Sequence, residues 1–156
     1  MRLAFCVTAV WLLVGCQAAP DNEAPQVCTQ TAPASHLLEG VSMDVSHPGL
    51  TPMLAAKGDL DGDGIDEVVD VVVHQPGGSG SFYYLSVNLG LSCGFKPLPA
   101  VFLGDRIALD AMEVTGQRLS VTFRDRDASE PMVSPPTRLN RLRFALEEGE
   151  LKRLAR

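Results

Sequence analysis

Two apolar runs of equal length sit on either side of a glycine-rich break. Residues 67–74 read EVVDVVVH, residues 82–89 read FYYLSVNL, and QPGGSGS lies between them. β-Branched and aromatic side chains suit a pleated backbone. Each run is strand-length and too short for an ordinary helix, and a break of this composition turns the chain back on itself. A hairpin is predicted. Its first strand barely alternates, which is the pattern of a strand covered on both faces.

The rest of the chain from residue 36 repeats this grammar in shorter words. Leu119, Val121 and Phe123 alternate with Ser120, Thr122 and Arg124, and Leu142, Phe144 and Leu146 alternate in the same way. That is the period of half-buried strands. Residues 98–103 and 107–114 are further apolar runs, and Thr115-Gly116-Gln117 and Glu148-Gly149 are turn signals. Pro131, Pro135 and Pro136 make residues 125–137 a loop or an edge crossing. Residues 37–43 and 52–57 are open between strand and short helix. The expected fold is mostly β, an antiparallel β-sandwich or open barrel of about seven strands in one domain, residues 36–156.

The segment before this domain has a different character. Arg2 precedes an apolar stretch over residues 3–14, which ends in Leu13-Val14-Gly15-Cys16. The stretch is shorter than the roughly 20 apolar residues of a spanning helix and reads as an export signal, residues 1–15. A small residue before the cut and a thiol after it are what lipoprotein processing requires, so Cys16 is the expected lipidation site. A secretory signal with an incidental cysteine is the alternative. Two or three acyl chains would anchor the protein stably. Residues 17–35, rich in Ala, Pro, Gln and Thr, read with Cys16 as a flexible tether. The expected location is the bacterial cell envelope. In a Gram-negative host Gln17 favours the outer membrane, facing the periplasm.

Export bears on the cysteines. Of Cys6, Cys16, Cys28 and Cys93, the first leaves with the signal and the second carries lipid. Cys28 and Cys93 then form one expected disulfide in an oxidising compartment, with two free thiols as the alternative. Closing a loop of roughly 65 residues would contribute at most about 4 kcal/mol. The formal net charge is −6, and it becomes more negative once Arg2 is lost. Such a chain is poorly suited to nucleic acid or to anionic lipid surfaces. Oligomeric state is not legible.

Metal chemistry is concentrated in Asp59-Leu60-Asp61-Gly62-Asp63-Gly64-Ile65-Asp66-Glu67. Carboxylates at alternate positions of a tight turn converge, glycine permits the reversal, and the Ile65 carbonyl adds a neutral oxygen. Calcium prefers such hard oxygen ligands. An EF-hand is disfavoured, because Asp66 occupies its aliphatic position and strand follows in place of helix. A solvated acidic turn is the alternative. The loop, with its fourth carboxylate leading straight into a strand, resembles the calcium loop of FG-GAP-type β repeats. That resemblance implies Asp59, Asp61, Asp63 and Glu67 as ligands, with Ile65 through its carbonyl. It covers one loop and its strand and not a propeller, and the ion it implies is structural.

A wider resemblance covers roughly residues 57–146. GDLDGDG at 58–64, GGSGSFYYL at 77–85 and FLGDR at 102–106 look like a recurring module of exported bacterial proteins and lipoproteins, continued by Glu130-Pro131-Met132 and Pro136-Thr137. Val133 and Ser134 stand where that module has paired cysteines. The resemblance implies no particular activity.

No nucleophile or acid–base pair stands out. His36, His47 and His74 sit in no catalytic motif, there is no G-x-S-x-G, and residues 77–81 lack the lysine and helix of a phosphate loop. Residues 77–81 form an expected exposed hairpin tip with aromatic residues beside it. Gly78, Gly80, Phe82 and Tyr84 are the candidate partner-binding residues. Asp105-Arg106 and Arg124-Asp125-Arg126-Asp127 are expected to be exposed ion pairs. The expected function is non-enzymatic: a membrane-anchored binding or structural module, stabilised by calcium, with an envelope protein as possible partner. The alternatives are an inhibitor that presents residues 77–81 to an envelope hydrolase, and a calcium-dependent hydrolase.

Overall fold

The computed structural model describes residues 32–155. The signal segment 1–15, the lipidation site Cys16, and Cys28 lie outside the described residues, as does the tether up to residue 31. The described residues form eleven strands and no helix. These are β1 (Ser35–Leu38), β2 (Val41–Asp44), β3 (Leu50–Gly58), β4 (Glu67–His74), β5 (Phe82–Gly90), β6 (Phe95–Pro97), β7 (Val101–Asp105), β8 (Ala108–Thr115), β9 (Arg118–Asp125), β10 (Arg138–Glu147) and β11 (Glu150–Arg153).

The strands make three antiparallel sheets. One runs β3-β4-β5-β6, with β7 also pairing β5; a second runs β11-β10-β9-β8; β1 and β2 form a separate ribbon. The sheets do not close into a barrel, and the fold is β-sandwich-like. The main core lies between the two larger sheets: Val69, Val71, Leu85 and Val87 from one meet Leu119, Val121, Phe123, Leu142, Phe144 and Leu146 from the other. Burying each such side chain contributes roughly 1.5–3 kcal/mol.

The β4–β5 hairpin pairs from Val68↔Asn88 to His74↔Phe82. It explains why β4 hardly alternates. Val69 and Val71 face the main core, while Val72 joins Leu38, Leu50 and Tyr84 in a second cluster beneath the β1–β2 ribbon. Both faces of β4 are therefore covered. β9 keeps the alternation read from sequence, with Leu119, Val121 and Phe123 buried and Arg118 and Arg124 exposed.

Strand claims both ambiguous segments. Residues 37–43 fold as the β1–β2 hairpin, whose turn residues Glu39 and Gly40 both have positive φ, 49° and 81°. This turn type matches the right-handed twist of the strands. Residues 52–57 belong to β3, an edge strand. An edge admits Pro52, which has no N–H to donate, and the register shifts between Pro52 and Leu54. The count exceeds seven because short strands such as β2, β6 and β11 carry too little hydrophobic pattern to be read alone.

Candidate metal centre and aromatic surface

The acidic loop links the edge strand β3 to the central strand β4. Leu60, 1% exposed, plugs it into the main core. Asx-type hydrogen bonds shape the rest. Asp59 accepts the N–H of Gly62 through Oδ1 (2.6 Å) and that of Gly64 through Oδ2 (3.1 Å). Asp61 Oδ1 accepts from the Asp63 N–H (3.1 Å), and Asp63 Oδ1 from the Ile65 N–H (2.7 Å). Gly62 and Gly64 have φ of +86° and +87°, where any other residue is strained. Gly62 also lies against the side-chain amide of Gln117, in the β8–β9 turn.

Glu67 closes the loop from beneath. It is fully buried. Its Oε2 accepts the Leu60 N–H at 2.6 Å and its Oε1 the Gly90 N–H at 3.3 Å. Gly90 has no side chain to keep β5 away, and a Cβ there would stand 2.5 Å from the Asp66 carbonyl oxygen and 2.8 Å from a methyl of Ile65. Burial pushes the Glu67 carboxyl above the usual carboxylate range. The two N–H groups pull it back, and the nearby charges of Asp61 and Asp63 push it further up.

Asp59, Asp61 and Glu67 each offer a carboxylate oxygen within 4.8 Å of the others, and together could hold a metal ion. Asp59 is half-buried, Asp61 exposed and Glu67 buried. The group therefore has a floor inside the protein and a rim in water. Of the residues read as ligands, Asp63 is not in this group, and its side chain caps the Ile65 N–H. Converging carboxylates repel one another, and a cation removes that cost. A carboxylate oxygen that accepts one N–H keeps a second lone pair, so the hydrogen bonds do not exhaust Glu67.

The second predicted surface lies at the other end of β5. Gly78 is exposed and Gly80 half-buried. The Phe82 ring packs over Gly80, where a Cβ would come within 2.6 Å of it. The base of the turn is tied down. Ser81 donates its N–H to Asp105 (2.9 Å), its carbonyl accepts the Arg106 N–H (2.8 Å), and its hydroxyl accepts from the Gln75 amide (3.0 Å). Tyr84 is buried, and its hydroxyl donates to Glu39 at 2.8 Å. Tyr83 packs on the opposite face, against the main core.

Three features were not legible in the sequence. Phe102 lies opposite Tyr84 in the β5–β7 ladder and joins the aromatic surface while 51% exposed. His36 Nδ1 and Ser86 Oγ are hydrogen-bonded at 2.9 Å, with both residues buried, and Asp70 lies directly across from Ser86. Burial lowers the His36 pKa, against the charge of Asp70, and raises that of Asp70, against His36 and Lys57. Ser86 is 0% exposed, so its hydroxyl does not face solvent. Finally, the Asn88 amide is buried with neither its nitrogen nor its oxygen hydrogen-bonded.

The charged run pairs differently from its order in sequence. Arg124 pairs Asp110 (2.8 Å), and Arg138 pairs both Asp125 (2.7 Å) and Asp127 (3.6 Å). Arg126 donates to the carbonyls of Ser134 and Arg106. Neighbours along a strand point to opposite faces, so charges find partners across strands. Asp105 and Arg106 do pair with each other, at 3.4 Å. Cys93 is disulfide-bonded, and Cys28, its expected partner, lies outside the described residues. No family model, curated protein or solved structure matches the chain.

Proposed function

We propose that this protein is a lipid-anchored module of the bacterial cell envelope. It works by binding rather than by catalysis, and a calcium ion in the loop between β3 and β4 stabilises it. The observation that carries the calcium reading is the convergence of Asp59, Asp61 and buried Glu67 within 4.8 Å. All three donors are hard oxygens and none is a thiolate or imidazole, a set that suits calcium over zinc or copper. The ion would join β3 to β4 at the lip of the core. It would stabilise the folded state by mass action, because the unfolded chain does not hold these oxygens together.

The anchor reading rests on Leu13-Val14-Gly15-Cys16. The partner-binding reading rests on the aromatic surface below residues 77–81, at the end of the molecule away from the acidic loop along β5.

Thermal unfolding with calcium and with chelator tests the metal. Calcium should raise Tm, and Asp59→Ala with Asp61→Ala should remove the rise. A wild-type chain indifferent to both additions refutes the site. Cys16→Ala should abolish fatty-acid labelling in cells, and persistent labelling refutes the anchor.

A further inference from the structure

The turn of the β1–β2 ribbon leans over the end of β5 and leaves a cleft of ≈ 250 Å³, lined by Glu39, His74, Pro76, Phe82, Tyr84 and Phe102. Three aromatic rings form its wall. The Tyr84 and Phe102 centroids are 5.3 Å apart with planes at 53°, and those of Phe82 and Phe102 are 6.4 Å apart at 49°. The ring faces carry the negative end of the aromatic quadrupole.

Glu39 adds a carboxylate at the rim. It is held there by the Tyr84 hydroxyl on Oε1. Burial and this carboxylate push the Tyr84 pKa up to about 12, so the phenol remains a neutral donor. Among the described residues no lysine or arginine lines the cleft, and Glu39 is in no ion pair. An exposed ring, Phe102, and an unpaired carboxylate thus share one small concavity.

We propose that this cleft is a recognition site for a basic side chain, lysine or arginine, of a partner protein. The inference rests on the partner-binding part of the function proposed above and names the chemistry of that surface. A cation over the ring faces is attracted by their quadrupoles, and its N–H groups can reach the free lone pairs of Glu39. The methylene stem lies along Phe102 as apolar surface. The cleft is smaller than the roughly 300–1,000 Å³ of drug-sized ligand sites, which suits one side chain. The exposed residues 77–79 of the turn flank it and offer backbone groups to the rest of the partner.

The test is a titration of the full chain followed by NMR of the Phe82, Tyr84 and Phe102 rings. The probes are Nα-acetyl-lysine methylamide and Nα-acetyl-arginine methylamide. The control is Nα-acetyl-norleucine methylamide, which keeps a stem and lacks the charge. Both basic probes should shift the rings, at least about five-fold more tightly than norleucine. Glu39→Gln and Phe102→Leu should each weaken them while the resonances of Val69 and Phe144 stay in place. Norleucine binding as tightly as lysine overturns the proposal. So do ring shifts produced by N-acetylglucosamine or by phosphatidylcholine vesicles but not by the basic probes, and so does silence with every probe. The calcium response is read separately by Tm, so failure of the metal site and failure of this one are distinguishable.

Discussion

Glu67 accepts the backbone N–H of Leu60 at 2.6 Å with a carboxylate that has no contact with solvent. A residue read as a metal ligand is therefore also the clasp of its own loop. The second oxygen reaches Gly90 at the far end of β5, so one side chain ties together the loop, β4 and β5. Glu67→Ala should destabilise the fold by about 1–3 kcal/mol for each N–H left unpaired. Glu67→Gln, which keeps one acceptor, should cost less. Urea unfolding measures both, and equal losses would show that the hydrogen bonds are not what matters.

The two positive-φ glycines of the loop separate conformational from steric strain. Gly64 has open space where a Cβ would stand, whereas Gly62 faces the Gln117 amide. Gly64→Ala should cost about 1 kcal/mol from backbone conformation alone, and Gly62→Ala should cost more. In a Gln117→Ala background the Gly62→Ala penalty should fall to the Gly64→Ala value. A Gly62→Ala penalty unchanged by Gln117→Ala would remove the steric part of the account.

His36 gives the fold a pH dependence of definite sign. Its folded pKa lies below the ordinary value of 6.5 because the imidazole is buried, an effect that outweighs the nearby charge of Asp70. As pH falls through the unfolded value, the unfolded chain takes up the proton first, and stability is lost from there down to the folded pKa. Asp70 acts in the opposite sense at lower pH, since its folded pKa is raised. Denaturant midpoints should fall between pH 7.5 and 5.5, and His36→Gln should flatten that slope. A variant that keeps the wild-type slope would assign it elsewhere.

Asn88 is a buried amide with no hydrogen bond, opposite Val68 in the β4–β5 ladder. Leaving such a group unpaired costs about 1–3 kcal/mol. Asn88→Val, close to it in volume and suited to a strand, should raise the guanidinium midpoint by the equivalent of about 1 kcal/mol. A clear loss of stability would mean that the amide has a role that its surroundings do not reveal.

The fold class was legible because hydrophobic period is a local property. Alternation in β9 and the β-branched run of β4 say strand whatever the rest of the chain does. The acidic loop was legible for the same reason, since its carboxylates and glycines lie within nine consecutive residues. Asp63 shows the limit. Spacing puts it in line with Asp59 and Asp61, yet in the folded turn the carboxylates that converge are those of Asp59, Asp61 and Glu67.

What lay beyond the sequence joins residues that are distant along the chain. Glu39 meets Tyr84, Phe102 meets Tyr84 and His36 meets Ser86 only because particular strands are neighbours. Periodicity tells each strand which face to bury and says nothing about which strand will lie across from it. The sequence by itself thus determined a mostly β fold with an acidic turn before its most apolar strand, because those follow from the backbone preferences of adjacent residues. The tertiary structure alone decided what covers each face of β4, that Glu67 fastens the loop, and that three rings and a carboxylate converge. Those outcomes depend on sheet order and register, which are settled by the packing of the whole chain.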